Sequence, residues 1–474
     1  MFNKNLTLER IQEVKKVFMQ IDLVRPYDKG TVASAKPLYL VKKNDQILGG
    51  AGSSLKGLAE ANGFGGEAGS VLANADGVLV GIGDGKDPFA IASAAERLPE
   101  GTFFIHEASL SDNAATQAVH GWLLGGYQFA DYTDRAPKRA VLIAPENADL
   151  GLAQGEAVAV ARVRDLVNTP ANDMTPATIE AAACELAETH GASVSVIEGD
   201  DLLDENFPMV HAVGRASVVA PRLIDLVWGD ERAPTVTLVG KGVSFDSGGL
   251  NIKGASGMAI MKKDMGGAAH VLALSEMIMS EKLNVRLRMI VPAVENAIAG
   301  NAFRPGDVLS SRKGLSVEIG NTDAEGRLIL ADALALGGEA NPDLMISMAT
   351  LTGAARVALG PDLAPFYCDD DGLANALEGH GRQSADPVWR MPLWDGYDGM
   401  LSPSIADINH ISAGGFAGSI TAALFLRRFI PNETPWMHFD IYAWQPKAKP
   451  GRPVGGAAQA VRALGAMLRE RYVP

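Results

Sequence analysis

The sequence predicts an α/β protein of two domains, a smaller amino-terminal α/β domain and a larger domain whose mixed, mainly parallel sheet is covered by helices on both faces. Three observations lead there. Strand-like apolar runs alternate with helical segments along most of the chain, the pattern of strands joined by covering helices. The 474 residues, 47% of them hydrophobic, can bury large cores in two or three domains. Glycine, at 52 residues, exceeds its usual share of about 7%. It clusters between apolar runs, as tight turns around a backbone-lined site require.

Taken in order, the opening MFNKNLTLERIQEVKK carries charges where a secretory signal needs an apolar stretch. No run approaches the ~20 apolar residues of a membrane span. A cytoplasmic protein without membrane association is expected. Residues 1–146 form the first domain, with strands at VLVGIG (78–83) and AVLIA (140–144) between Ala-rich helical segments. Within it GIGDGK misplaces the third glycine of a dinucleotide loop and reads as a turn. His106 and Glu107 could open a zinc motif HExxH, but position 110 is leucine. Residues 147–167 form a connecting helix, because Leu152 to Val167 shows an apolar stripe at helical spacing decorated with Arg162, Arg164 and Asp165. It stops at NTPANDMTP, a run of helix breakers and turn formers, and puts a boundary near residue 168.

Residues 168–474 repeat strand, loop, helix. TVTLVG (235–240), VRLRMIVP (285–292), PDLMISMA (342–349) and WMHFDIYA (436–443) read as strands, and 264–281 as a helix. Leu315, Val317 and Ile319 alternate like a strand, and Leu328, Leu330, Ala331, Leu334 and Ala335 have helical spacing. The charged stretch NTDAEGRL (321–328) therefore sits on a strand-to-helix turn. In open α/β sheets the crevice beyond the strand carboxyl ends is where ligands bind.

The net charge of −14 and pI near 5.1 argue against a nucleic-acid or anionic-membrane surface and favour small-molecule or peptide chemistry. Cys184 and Cys368, the only cysteines, form no disulfide framework, consistent with a reducing compartment.

Four loops at strand ends stand out by composition. One carries Lys241, Asp246 and Lys253 on a glycine-rich segment. The second opens a helix with Asp264, the third supplies Asp323, Glu325 and Arg327, and the fourth is TLTGA. Singly, each has an ordinary explanation: Asp264 caps a helix, the lysines are solvated, Asp323 makes an Asx turn. Together, three aspartates and a glutamate in one crevice repel unless cations neutralise them, and two divalent ions match four carboxylates in charge. Such a pair, ~3.5–4 Å apart, can clamp the attacking and departing oxygens of a hydrolysis. One lysine could join the shell as a neutral amine, and the other could stabilise an oxyanion. No serine or cysteine nucleophile competes: GASGM (254–258) misses GxSxG, and neither cysteine has an adjacent histidine. His270 and His438 read as packed residues.

The segments GKGVSFDSGGLNIK, MKKDMGGAA and NTDAEGRL resemble the signatures of the cytosolic leucyl aminopeptidase family, the two-metal M17 peptidases. VRDLVNTPAN (163–172), RPGDV (304–308), ATLTGA (349–354) and SITAALFL (419–426) extend the likeness across residues 160–474. The first domain is similar to the family's variable domain more loosely, chiefly at GWLLGGYQF (121–129). The resemblance implies a metal-dependent aminopeptidase acting on short peptides. By position, Lys241, Asp246, Asp264 and Glu325 would hold one metal and Asp246, Asp323 and Glu325 the exchangeable one, each Zn²⁺ or Mn²⁺. A water shared by both ions would be the nucleophile. Lys253 would stabilise the oxyanion, and Arg327 would hold a bicarbonate that shuttles the proton. Met261, Thr350, Leu351 and Gly353 would shape the first substrate pocket, favouring leucine and other apolar amino-terminal residues. The resemblance also implies a homohexamer with enclosed sites. The chain departs from the common pattern at Gly254, where proline usually follows the lysine, and in a longer glycine-rich AGGFAGSI (413–420). Two rivals are a two-metal hydrolase of another bond, against which the retained Lys253 and Arg327 argue, and a non-catalytic hexameric scaffold, against which the retention of all seven ligand and catalytic residues and the overall acidity argue.

Overall fold

The computed structural model describes residues 21–45, 51–106, 110–134 and 136–473. The opening segment read for targeting, and Glu107, lie outside the described residues. The chain divides into two compact units, Met1–Ala161 with Gln445–Val454, and Arg162–Trp444 with Gly455–Pro474. The predicted α/β class is the observed one.

The first unit holds a six-stranded sheet in the order Val24–Arg25, Ala140–Ile143, Gly101–Ile105, Lys36–Val41, Val78–Gly81, Val71–Ala73. All neighbours are parallel except the last pair. Helix Asp112–Gly126 starts where the Ser111 side chain accepts from Ala114 N–H, and its Trp122 is fully buried with Nε1 donating to the Ala140 carbonyl (3.2 Å). GIGDGK is a turn, with Gly83 and Gly85 at φ 60° and 77°.

The second unit is built on a nine-stranded sheet. Its order is Val388–Arg390, Ala364–Cys368, Trp436–Asp440, Leu344–Ala349, Thr235–Gly240, Arg286–Asn296, Arg222–Trp228, Ser193–Glu198, with Gly242–Asp246 also pairing Arg286–Asn296. The run from Trp436–Asp440 to Arg286–Asn296 is parallel, and antiparallel partners flank it. Every residue of Leu344–Ala349 is buried, which marks a strand covered on both faces. Alternate side chains show the two covers: Thr237 meets Gly337 of helix Gly326–Gly338, and Gly240 lies against Val271 of helix Gly266–Ser280. Both helices are buried nearly all round, so their apolar character is not confined to one stripe.

Two local expectations change. The helix predicted from residue 264 begins at Gly266, preceded by a 3₁₀ turn Met261–Met265, so Asp264 lies in that turn and caps nothing. The strand before NTDAEGRL, Ser316–Glu318, belongs to a separate three-stranded sheet with Val308–Ser310 and Ile408–Asn409. Its alternation reflects one face packed and one half-exposed, which a small satellite sheet satisfies as well as a main one.

Among the described residues, no helix is long and apolar enough to cross a membrane.

Candidate metal centre

The parallel strands end on one edge, and the polar residues follow at those ends. Lys241 succeeds Thr235–Gly240, Asp246 closes Gly242–Asp246, Asn296 closes Arg286–Asn296, Thr350 follows Leu344–Ala349, and Asp440 closes Trp436–Asp440. The turn Thr322–Ala324 brings in Asp323, and Glu325 and Arg327 stand at the start of helix Gly326–Gly338.

Lys241 is buried, with Nζ 2.7 Å from Asp264 Oδ2 and 3.0 Å from Glu325 Oε1, while donating to the Thr350 carbonyl at 3.0 Å. Only a glycine fits at 326, because a Cβ there would lie 2.5 Å from Lys241 Cε. Lys253 Nζ lies 2.8 Å from Asp246 Oδ2 and also pairs with Asp323 Oδ1. Asp246 Oδ1 accepts from Gly248 N–H (2.9 Å) and Asn296 Nδ2 (2.8 Å). Asp264 Oδ1 accepts from Thr350 Oγ1 (2.9 Å). One oxygen each of Asp246, Asp323 and Glu325 lie within 4.8 Å of one another.

Four carboxylates thus face two ammoniums, and the excess negative charge appears in the proton affinities. Burial pushes Glu325 well above the usual carboxylate range, and the neighbouring Asp246 adds to it. Asp246 is likewise raised, by burial and by Asp264. Asp264 goes the other way: against burial, Lys241 holds its carboxyl low. Lys241 is itself held charged against burial by Asp264 and Glu325. Both oxygens of Glu325 are buried; beyond the Lys241 ion pair at Oε1 neither has a partner among the described residues. A buried carboxylate with an unsatisfied oxygen, clustered with a second and third carboxylate, is the donor set of a hard or borderline divalent cation. The residues fit the metal.

Arg327 is buried, with Nη1 donating to the His410 carbonyl at 2.7 Å and Nε without an acceptor among the described residues. Burial pulls its guanidinium down to about 10, although Asp440 and Glu325 favour the charge. Leu351 and Thr352 donate backbone N–H to Asp440 Oδ1 (3.1 and 2.9 Å), which fixes the loop after Thr350. Met261 shares the turn of Asp264, and Gly353 opens helix Gly353–Leu359.

Lys241, Asp246, Lys253, Asp264, Asp323 and Glu325 are therefore brought together from three loops, and neither lysine is solvated. Three contributors escaped the sequence reading. Asn296 and Asp440 are single polar residues ending apolar strands, a signal visible only once the strand ends are known to converge. His410 joins the site twice: its carbonyl holds Arg327, and its Nε2 reaches the Asn321 carbonyl (2.9 Å) beside Asp323. His270 and His438 are fully buried; the first has Nδ1 2.6 Å from the Gly266 carbonyl, and the second stacks between Trp436 and Tyr367.

Comparison with known proteins finds similar chains along nearly the whole length. Residues 161–465 match the family model described as "Cytosol aminopeptidase family, catalytic domain", and residues 37–145 match "M17 aminopeptidase, N-terminal domain". A probable cytosol aminopeptidase of Roseiflexus castenholzii is 40% identical over 76% of this chain and 77% of its own length. One from Geotalea uraniireducens is 37% identical over 90% and 92%. Among solved structures, the cytosol aminopeptidase of Coxiella burnetii superposes with a TM-score of 0.90 at 42% identity, over 95% of this chain and 100% of that one. The bottromycin maturation enzyme BotP in complex with Mn gives 0.83 at 32% identity, over 92% and 99%.

Proposed function

The chain belongs to the cytosol aminopeptidase family and is a metal-dependent aminopeptidase, and from that premise we propose that it removes leucine and other apolar residues from the amino termini of short peptides. The observation carrying the site assignment is the cluster of Asp246, Asp323 and Glu325, in which Glu325 is buried with Lys241 beside Oε1 and no donor at Oε2 among the described residues. We assign Asp246, Asp264 and Glu325 to one divalent ion, together with Lys241 as the neutral amine it becomes when the ion displaces its proton, and Asp246, Asp323 and Glu325 to a second. The donor set accepts Zn²⁺ or Mn²⁺, and the Mn complex of BotP supports manganese. When bound, the two ions would supply Lewis acidity and would activate a water as the nucleophile.

The chain's own residues do the rest. Lys253, held between Asp246 and Asp323, presents its ammonium to the scissile carbonyl oxygen and stabilises the charge that develops there. Asn296 orients Asp246 from behind, and Thr350 orients Asp264. Arg327, with Nη1 committed to His410 and Nε uncommitted, is the residue that would hold a bicarbonate, whose chemistry is to take up and return a proton. Met261, Thr350, Leu351 and Gly353 form the first substrate pocket, and the apolar faces of Met261 and Leu351 support the leucine preference. A cytoplasmic homohexamer is the expected setting, with residues 1–146 as a variable domain, 147–167 as a connecting helix and 168–474 as the catalytic domain.

The test is hydrolysis of leucine p-nitroanilide after chelation and readdition of Mn²⁺ or Zn²⁺. Cleavage should return with metal, and should be lost with Asp323→Ala and with an amino-terminally acetylated substrate. Light scattering would read the hexamer.

A further inference from the structure

Beside the metal centre, two cations converge on one aromatic ring. Lys263 Nζ lies 5.3 Å from the centroid of Tyr442, and Arg356 Cζ lies 4.9 Å from it. Each contact is attractive, but neither neutralises the charge. Lys263 is only 5% exposed, whereas Arg356 is exposed. Neither side chain forms a hydrogen bond or ion pair among the described residues. The acids nearby are engaged elsewhere: Asp264 with Lys241 and Thr350, and Asp440 with Leu351, Thr352 and Ser419. Two like charges on one ring, with the charges of Asp264 and Asp440 felt nearby but no ion pair of their own, favour an anion between them.

Their position says which anion. Lys263 lies between Met261 and Asp264 in one turn. Arg356 Nη2 is 3.9 Å from where a Cβ on Gly353 would stand, so the guanidinium overhangs that glycine. Met261 and Gly353 are both walls of the first substrate pocket in the reading given above, on which this step rests.

We infer that Lys263 and Arg356, spaced by Tyr442, form a cationic wall of the first substrate pocket that binds the side-chain carboxylate of an amino-terminal glutamate or aspartate. The apolar stem of such a residue is served by Met261 and Leu351 as a leucine side chain is. Its charged end gains hydrogen bonds that leucine does not make. The pocket therefore takes acidic residues in addition to apolar ones.

The comparison of glutamyl with glutaminyl p-nitroanilide isolates the charge, since the two substrates have the same shape. With the manganese-loaded, full-length enzyme, kcat/KM should favour the glutamyl substrate by about tenfold or more, the scale of a charge-assisted hydrogen bond. Arg356→Gln, at an exposed position, should shrink that ratio severalfold, and Arg356→Glu should invert it. Lys263→Met should shrink it as well. Equal rates on the two substrates, or a ratio indifferent to both Arg356 variants, would overturn the assignment. So would a preference for leucyl-glycine over leucyl-glycinamide that vanishes in Arg356→Gln, because the bound carboxylate would then belong to the other end of the peptide. Metal-restored cleavage of leucine p-nitroanilide without glutamyl preference would defeat this inference alone. Failure on every aminoacyl anilide would defeat the aminopeptidase assignment with it.

Discussion

Lys253 is held by two carboxylates from different loops, so its ammonium is fixed before a substrate arrives. Preorganisation of this kind acts on charge that appears only in the transition state. Lys253→Met should lower kcat by about 10²- to 10³-fold, the loss typical of one oxyanion donor, with KM altered much less. Steady-state kinetics on leucine p-nitroanilide, together with metal content by mass spectrometry, would check it; the metal content should not fall, because the variant removes a cation from beside Asp246 and Asp323. At this scale the sequence was informative wherever several charges broke an apolar neighbourhood, as in NTDAEGRL. It was silent on Asn296, Asp440 and His410. Asn296 and Asp440 each end an apolar strand and His410 follows a two-residue one, and their meaning depends on partners 50, 89 and 83 residues away, distances no local pattern encodes.

Helix Gly326–Gly338 carries Glu325 and Arg327 at its start and Asp332 in its middle. Asp332 is fully buried and accepts backbone N–H groups from Met209 (2.8 Å), Val210 (3.4 Å) and Arg312 (2.8 Å). Burial pushes its carboxyl up to about 7, despite these three donors. A folded-state pKa raised above the unfolded value, about 4, means the native protein binds this proton more tightly. The stabilisation is complete below pH ~4 and is lost as pH rises from there through about 7. Denaturation midpoints of the wild type should fall across that window relative to Asp332→Asn, which lacks the ionisation. The variant itself should cost about 1–3 kcal/mol where its amide meets an N–H. A second expectation concerns helix Gly266–Ser280. A Cβ on Gly267 would stand 2.1 Å from the Met348 carbonyl, so Gly267→Ala must push the helix off the strand that leads to Thr350. Thermal unfolding should drop by several degrees, and activity should fall with it. The sequence indicated both helices and the central strands, because their apolar runs are long. It misplaced the start of the first helix, since a 3₁₀ turn and an α-helix share the same apolar spacing over five residues.

Over the whole molecule, the metal site is a local surplus of negative charge within an acidic protein. Loading it should stabilise the fold by mass action, about 2.7 kcal/mol at a hundredfold excess over Kd. Differential scanning fluorimetry should therefore show a Tm several degrees higher with Mn²⁺ than after chelation, and a smaller rise in Asp323→Ala. An equal rise in that variant would place the stabilising ion elsewhere. The α/β class could be read from strand and helix alternation, whereas the antiparallel flanks of the sheet could not, because direction is set by crossover geometry that composition does not record.

The order of the strands has a consequence for the birth of the protein. Lys241 meets Thr350 across 109 residues, and the loop after Thr350 is fixed by Asp440, a further 89 residues along from Leu351. On the ribosome, the central strand emerges long after one neighbour and long before the other. Meanwhile helices Gly266–Ser280 and Gly326–Gly338, buried on nearly every side in the native fold, have no complete sheet to cover them. The chain must finish nearly all of its synthesis before the site can close, which makes its folding slow and its nascent form a natural client for chaperones.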